Sequence, residues 1–159
     1  MDLKEIFDAI SPLDGIELNL ESDVILVSSA SLMAVAEKFK NDADLDFDFL
    51  MCITALDDGD SKNFTVAYNF YSNTNKHSVE VRVSVVDGKE VPSLSGIWKT
   101  ADWHEREAYD MMGVIFSGHP ELKRILLPED WEGYPLRKNY KVADYYHGVP
   151  IPKDKSYWE

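Results

Sequence analysis

The chain has 159 residues, of which 45% are hydrophobic and 12% aromatic, so its composition fits one folded domain with a tail and excludes a disordered protein. Its net charge of −13 argues against nucleic acid as a partner, because phosphates repel an acidic surface. The single cysteine, Cys52, excludes a disulfide within the chain and a cysteine-ligated iron–sulfur cluster.

The first 41 residues predict a helix, a hairpin and a second helix. Apolar residues at helical spacing between positions 3 and 10 predict a first helix that ends before Pro12. Alternating residues at 16–20 and an apolar run at 24–27 predict the two strands of a hairpin. The inner face of the second helix is formed by Leu32, Val35, Ala36 and Phe39.

Three longer strands and a third helix follow. Positions 46–56, 64–71 and 77–86 predict strands, the last with valine at every second position. An apolar stripe from 94 to 112 predicts a helix that Gly113 ends. Together these elements predict an α+β fold, in which two or three helices pack on a small mixed or antiparallel sheet of four or five strands.

The composition changes after Gly113. Five prolines fall within the last 40 residues, where they prevent long helices and favour an extended course. Tyrosine and tryptophan residues are interleaved with them, and such an aromatic segment is costly to leave in water. The segment therefore either folds back on its own domain or lies on a partner. We expect a globular domain at 1–113 and an extended, partner-binding C-terminal segment at 114–159.

Two patterns that resemble metal sites fail in their spacing. His104 and Glu105 begin like a zinc-protease helix, but position 108 is alanine where the second histidine ligand would stand. The alternating aspartates between 42 and 48 lack the glycine and glutamate of a calcium-binding EF-hand loop, and predict the start of a strand with one acidic face. We expect no catalytic, cofactor-binding or metal-binding residue in this chain.

A charged cluster on the third predicted helix is the remaining candidate site. Glu105 lies on the apolar stripe, where a carboxylate is either paired or functional. Arg106 and Asp110 are four residues apart and can pair along the helix. The cluster also contains Glu107. It can be a structural ion-pair network, a contact with a partner or an acid/base site, and the network is the leading interpretation.

The segment that contains this cluster resembles the signature of the 30 kDa subunit of respiratory complex I (NADH:quinone oxidoreductase), also called its C subunit. The match runs without gaps from 105 to 140, with Asn139 where the family usually has aspartate. The residues that carry the signature, or are expected at a subunit interface, are Glu105, Arg106, Glu107, Asp110, Gly113, His119, Pro120, Arg124, Trp131, Gly133, Pro135, Arg137, Lys138 and Tyr140.

The resemblance implies a cofactor-free scaffold in the peripheral arm of a proton-translocating NADH:quinone oxidoreductase, with flavin and iron–sulfur clusters in partner subunits. It implies docking on the D subunit of complex I, the partner that resembles the large subunit of nickel–iron hydrogenases. Arg124, Arg137 and Lys138 would be bonded to groups of that partner, and aromatic residues such as Trp131 and Tyr140 would supply contact area.

The same resemblance implies a place on the cytoplasmic side of the inner membrane. The chain would reach the membrane through other peripheral-arm subunits, because no apolar run approaches the roughly 20 residues that span a bilayer.

Two alternatives stay open. Related scaffolds occur in membrane-bound hydrogenases and in ferredoxin- or F420-linked complexes, and the sequence alone does not choose the electron donor. A stand-alone enzyme that uses Glu105 or Glu107 as acid or base belongs to another class. That hypothesis predicts a concave pocket around the third helix and turnover by the isolated chain.

Overall fold

The computed structural model describes residues 1–59 and 62–151, so the predicted contributions of Tyr157 and Trp158 to the aromatic segment lie outside the described residues. The helices are α1 (Leu3–Ile10), α2 (Leu32–Asn41) and α3 (Ala101–Met112). The strands are β1 (Ile16–Asn19), β2 (Val24–Val27), β3 (Phe49–Asp57), β4 (Asn63–Tyr71), β5 (Ser78–Val86), β6 (Glu90–Pro92), β7 (Ile115–Ser117), β8 (Tyr145–Tyr146) and β9 (Val149–Pro150).

Five strands form one mixed sheet in the order β1-β2-β5-β4-β3. Neighbouring strands are antiparallel except β2 and β5, which run parallel. This sheet, packed by helices, confirms the predicted α+β class. The sequence did not predict β6 and β7, which pair in parallel and place 115–117 beside 90–92.

The core combines one face of the sheet with the inner faces of the helices. Strand β5 buries every second residue from 79 to 85, as the alternation of its valines predicts. Aromatic rings fill the space between sheet and α2. The ring centroid of Phe39 lies 4.7 Å from that of Phe47 and 5.3 Å from that of Phe70.

The third helix begins later than predicted, at Ala101 and not near Leu94. Leu94 and Trp98 are buried as the apolar stripe requires, but they lie in turns that precede the helix. The backbone N–H of Leu94 donates to the Glu105 carboxylate at 2.7 Å, which holds these turns against the first part of α3. Gly96 also disfavours a helix at this point. The prediction of a continuous helix over 94–112 is therefore wrong in its first part.

The end of α3 agrees with the prediction, because Gly113 adopts a left-handed conformation with φ of 76°. A Cβ atom at this position would lie 2.6 Å from side-chain atoms of Tyr134 and Arg137. The glycine therefore ends the helix and also admits the C-terminal residues close to the helix end.

The described residues after β7 form a segment, residues 118–151, that we call the anchored segment. Residues 118–144 contain neither helix nor strand, and β8 and β9 form a short antiparallel hairpin. Across the parts of the chain that the structure describes, no helix is both long enough and apolar enough to cross a membrane.

Candidate functional site, the anchored segment

Asp110 is the centre of the contact between α3 and the anchored segment. Its side chain is fully buried, and its Oδ1 accepts a hydrogen bond from Nη1 of Arg124 at 2.8 Å. Its Oδ2 accepts three consecutive backbone N–H groups at 2.7–3.0 Å, those of Ile125, Leu126 and Leu127. One carboxylate on the helix therefore binds the backbone of a whole turn of the segment.

The charge of Asp110 follows from these bonds. Burial by itself would raise the pKa of Asp110, but the three backbone N–H groups and the Arg124 guanidinium outweigh it and lower the pKa below its usual value. The carboxylate is therefore ionised at neutral pH. It binds the turn as an anion surrounded by donors.

Arg106 does not make the ion pair with Asp110 that its helical spacing predicts. The hydrogen-bond donors from Arg124 and from the turn already occupy both oxygens of Asp110. Arg106 instead donates from Nε to the Lys123 carbonyl at 3.2 Å, and its guanidinium lies 5.0 Å from the centroid of the Trp103 ring. Arg106 therefore forms a second bond between α3 and the anchored segment instead of an ion pair within the helix.

Arg137 attaches the anchored segment at another point. Its guanidinium donates to both carboxylate oxygens of Asp87 at 2.8 and 3.1 Å, and its Nε donates to the Met112 carbonyl at 2.7 Å. The guanidinium also lies 4.8 Å from the ring centroid of Phe64 and 4.6 Å from that of Tyr134. These contacts join the segment to the sheet and to the end of α3.

Arg124 and Arg137, which the sequence places at a subunit interface, are both bonded within the chain in this structure. Both side chains are mostly buried, with 13% and 14% of their surface exposed. Lys138 donates its backbone N–H to Asp57 at 2.8 Å, and Lys138 itself is exposed. A guanidinium binds carboxylates and carbonyls of its own chain as readily as those of a partner. The residue type therefore could not show whether these arginines are bonded within the chain or to another subunit.

The other interface candidates of the segment lie close to these attachment points. The Gly133 carbonyl accepts a hydrogen bond from Nη2 of Arg124 at 3.0 Å. A Cβ atom on Gly133 would lie 3.0 Å from the Tyr140 ring, so the glycine permits this ring to pack on the backbone. Trp131 and Pro135 are half-buried.

Glu105 is fully buried and is bonded to the turns before α3. Its Oε2 accepts the Ser93 hydroxyl at 2.6 Å and its Oε1 accepts the Leu94 N–H at 2.7 Å. Burial raises the pKa of Glu105 to about 7, against the opposing effect of these two bonds. The carboxyl group therefore titrates near neutral pH.

His119 reaches the same buried region from the turn after β7. Its side chain is fully buried, and its Nδ1 accepts the Glu121 N–H at 3.0 Å, so Nε2 carries the proton of the neutral ring. Nε2 lies 3.2 Å from the Asp102 carbonyl and 3.9 Å from Oε2 of Glu105. The exposed Pro120 follows in the same turn. His119 therefore links this turn to the first half of α3.

Glu107 is not part of the buried network. It is exposed and makes no hydrogen bond or ion pair with any residue of the described ranges. It borders a cavity of about 50 Å³ between α3 and β3, which is far below the volume of typical small-molecule sites, ~300–1,000 Å³. Within residues 1–59 and 62–151, no group of His, Cys, Asp and Glu side chains is arranged to hold a metal ion.

The anchored segment exposes five large apolar side chains among its charged and polar residues. Leu126 is 61% exposed although its backbone N–H is bound by Asp110, and Leu136, next to Arg137, is 59% exposed. Val142, Tyr145 and Val149 are also exposed. We call these five side chains the docking surface. Buried ion pairs thus hold the backbone next to Leu126 and Leu136 in place, and exposed apolar patches are a feature of binding surfaces.

Sequence reasoning missed two residues that position this site, Asp87 and Ser93, and assigned no role to Tyr134. The Asp87 carboxylate binds a guanidinium 50 positions later, and the Ser93 hydroxyl binds a carboxylate 12 positions later. No local pattern signals such contacts. Tyr134 lies between Arg124 and Arg137 in the sequence, and this order was a usable signal for contacts between the ring and the two guanidinium groups. In the structure its ring centroid lies 5.3 Å from the guanidinium of Arg124 and 4.6 Å from that of Arg137.

The fold and the attachment points define an α+β domain that presents a fixed C-terminal segment, and this class of domain has known members. A family model described as the 30 kDa subunit of respiratory-chain NADH dehydrogenase matches residues 25–146, which include all the attachment points. The chain belongs to this family.

Relatives with high sequence identity carry names from the same family. The chain is 46% identical to the C subunit of NADH-quinone oxidoreductase from Chloroherpeton thalassium over 94% of its own length and 62% of that protein. It is 48% identical to the same subunit of Chlorobium phaeobacteroides over 68% and 66% of the two chains. It is 41% identical to the J subunit of NAD(P)H-quinone oxidoreductase from Prochlorococcus marinus over 82% and 78%. The chain thus spans less than two thirds of the first two relatives.

A solved structure shares the fold at low sequence identity. It is that of a membrane-bound sulfane sulfur reductase, an archaeal respiratory membrane complex. One of its chains superposes with a TM-score of 0.71 and 18% identity, covering 87% of this chain and 84% of that one. The likeness establishes a common fold.

Proposed function

We propose that this chain is a structural, non-catalytic subunit, without a cofactor of its own, in the peripheral arm of a proton-translocating NADH:quinone oxidoreductase. In this proposal it docks on the D subunit, on the cytoplasmic side of the membrane, and reaches the membrane only through partner subunits. Flavin and iron–sulfur clusters belong to those partners. Family membership and the names of the relatives support the assignment to such a complex.

The observation that carries the docking role is the docking surface on the anchored segment. Exposed apolar area costs roughly 25 cal/mol per Å² in water, and a partner surface removes this cost where it covers Leu126 and Leu136. The backbone beneath these side chains is already fixed through Asp110 and Arg137. Docking therefore requires little further ordering of the chain, which favours tight binding.

The geometry of the acidic residues favours this role over the acid/base hypothesis. Glu105 has no exposed surface, and its oxygens are bonded to Ser93 and Leu94. A substrate that arrives from solvent does not reach it in this conformation. Glu107 is exposed, but it borders only the cavity of about 50 Å³ described above.

Replacing Leu126 and Leu136 together with serine tests the docking role. We expect the double variant to bind about tenfold or more weakly to the complex from which this chain has been removed, because two apolar anchors are lost. The measurement is the dissociation constant of the full-length chain for that purified complex. Its fold should be unchanged in circular dichroism and thermal unfolding, since both side chains are exposed.

The matched control is Leu20→Ser, which removes a 71% exposed leucine from the hairpin at the other end of the domain. Equal affinities of the double variant, the control and the wild type would contradict the docking role. The proteins that co-purify with the chain also identify the complex. A flavoprotein that binds NADH supports the proposal, whereas a hydrogenase or ferredoxin-linked set without it supports the alternative scaffold role.

A further inference from the structure

A concave pocket of about 310 Å³ lies between the turn at 128–133 and the hairpin of β8 and β9. Its walls include Asp130, Trp131, Glu132, Tyr140, Tyr145 and Tyr146. The side-chain bonds of Asp110 and of the Arg137 guanidinium do not involve these walls. We call this feature the aromatic pocket.

Four of the side chains that line the pocket, Trp131, Tyr140, Tyr145 and Tyr146, are tryptophan or tyrosine. The ring centroids of Trp131 and Tyr146 are 5.3 Å apart with a tilt of 44° between the planes. Tyr145 is 66% exposed, so its ring is available to a partner. The faces of tryptophan and tyrosine rings carry negative potential and attract Lys and Arg side chains.

Two carboxylates, those of Asp130 and Glu132, line the pocket. Asp130 is bonded to the Tyr146 hydroxyl at 3.0 Å and to Nε2 of His147 at 2.6 Å, which fixes the hairpin against the turn. Glu132 makes no hydrogen bond or ion pair with any residue in the described parts of the chain. Among those same residues, no lysine or arginine lines the pocket. An added cation would therefore meet two carboxylates and no guanidinium or ammonium group of this part of the chain.

The Trp131 indole supplies an unused donor. Its Nε1 is buried and has no hydrogen-bond partner among residues 1–59 and 62–151. A buried polar group without a partner costs free energy, so an acceptor that reached this N–H when a partner binds would lower that cost. A backbone carbonyl meets this requirement and does not add a third negative charge.

We propose that the aromatic pocket receives one Lys or Arg side chain of the protein on which the chain docks. The cation packs on the rings beside Glu132, and a backbone carbonyl next to it accepts the Trp131 N–H. This inference rests on the proposed docking function and names the chemistry of the partner at one point of contact. A basic residue suits an acidic chain of net charge −13, which attracts such a partner surface at long range.

Charge reversal at position 132 tests the proposal. Full-length Glu132→Lys should bind the complex that lacks this chain about tenfold or more weakly than the wild type, and its affinity should depend less on salt. The matched control is Glu129→Lys, since Glu129 is an exposed neighbour outside the pocket that has no bonds with described residues. We expect less than a threefold change for this control. Trp131→Phe, which keeps a ring but removes the N–H group, should weaken binding several-fold.

The outcomes separate this inference from the docking role. One outcome is that the double variant Leu126→Ser with Leu136→Ser does not bind, while Glu132→Lys and Glu129→Lys bind with equal affinity. The docking role is then supported, and the proposal that a cation enters the aromatic pocket is wrong. If replacing the chain's own Lys153 and Lys155 with glutamine weakens binding as strongly as Glu132→Lys, the cation comes from this chain and the proposal is overturned. Restored binding of Glu132→Lys to a partner in which one Lys or Arg is changed to Glu would identify the occupant.

Discussion

Asp110→Asn is expected to lower the free energy of unfolding by about 3–5 kcal/mol, the usual loss when one member of a buried, hydrogen-bonded ion pair is removed. Asparagine has one acceptor oxygen and one amide that only donates. Its amide must face either Arg124 or the three backbone N–H groups that Asp110 now accepts. Donors would then oppose donors at a buried position.

Urea unfolding at pH 7, followed by circular dichroism, measures this loss. Amide exchange should show where it arises, because the N–H groups of Ile125, Leu126 and Leu127 lose their shared acceptor and should exchange faster. Glu121→Gln is the control, since Glu121 pairs with Lys123 at the exposed surface, and we expect its stability to be unchanged. A loss below about 1 kcal/mol for Asp110→Asn would contradict the role given to this carboxylate.

Glu105→Gln is expected to remove a pH dependence of stability. Burial raises the pKa of Glu105 to about 7 from an ordinary value of 4.5, so the folded protein binds a proton that the unfolded chain has released. The wild type therefore loses stability as pH rises between these two values. The expected loss from Glu105 between pH 5 and pH 8 is about 2–3 kcal/mol, because each pKa unit corresponds to about 1.36 kcal/mol.

The measurement is the difference in unfolding free energy between wild type and Glu105→Gln across that pH range. The glutamine side chain cannot ionise, so the difference should change by about 2–3 kcal/mol in favour of the variant as pH rises. His119 and Asp102 face the same region in both proteins. Glu107→Gln, on the exposed side of the same helix, should follow the wild type. Parallel curves for wild type and Glu105→Gln would show that Glu105 does not titrate in this range.

Local patterns were sufficient to predict most of the sheet and the helices. The valines of β5 alternate, the hairpin of β1 and β2 carries its own periodicity, and Gly113 supplies the left-handed residue that ends α3. Each of these signals depends on neighbours within a few positions. Element class and the end of the last helix could therefore be predicted from sequence.

Contacts between distant residues account for what the sequence did not predict. The start of α3 depends on the Glu105 carboxylate, which takes the Leu94 N–H into a turn before the helix. Arg106 and Asp110 have the spacing of a helical ion pair, yet Arg124, 14 positions after Asp110, makes the bond. Strands β6 and β7 have three residues each, too few for a periodic pattern.

The charged cluster on α3 acts mainly through bonds to residues outside its own helix, and Arg106 and Asp110 do not pair with each other. Asp110 and Arg106 bond outward to the anchored segment, while Glu105 bonds back to the turns before the helix. Helix α3 thus connects the domain to the segment that carries the docking surface. We propose that the exposed apolar side chains and the aromatic pocket bind the partner, while the buried arginines hold the backbone near Leu126 and Leu136 in position.

Photo-crosslinking within the assembled complex tests this account most directly. A photoreactive amino acid replaces Leu126 or Leu136 in separate variants, and Leu20 in the control, and the products are identified after illumination. The account predicts that positions 126 and 136 crosslink to one large partner subunit, proposed to be the D subunit, and that position 20 does not. Crosslinks to that subunit from position 20, with none from positions 126 and 136, would show that another face of the domain makes the contact.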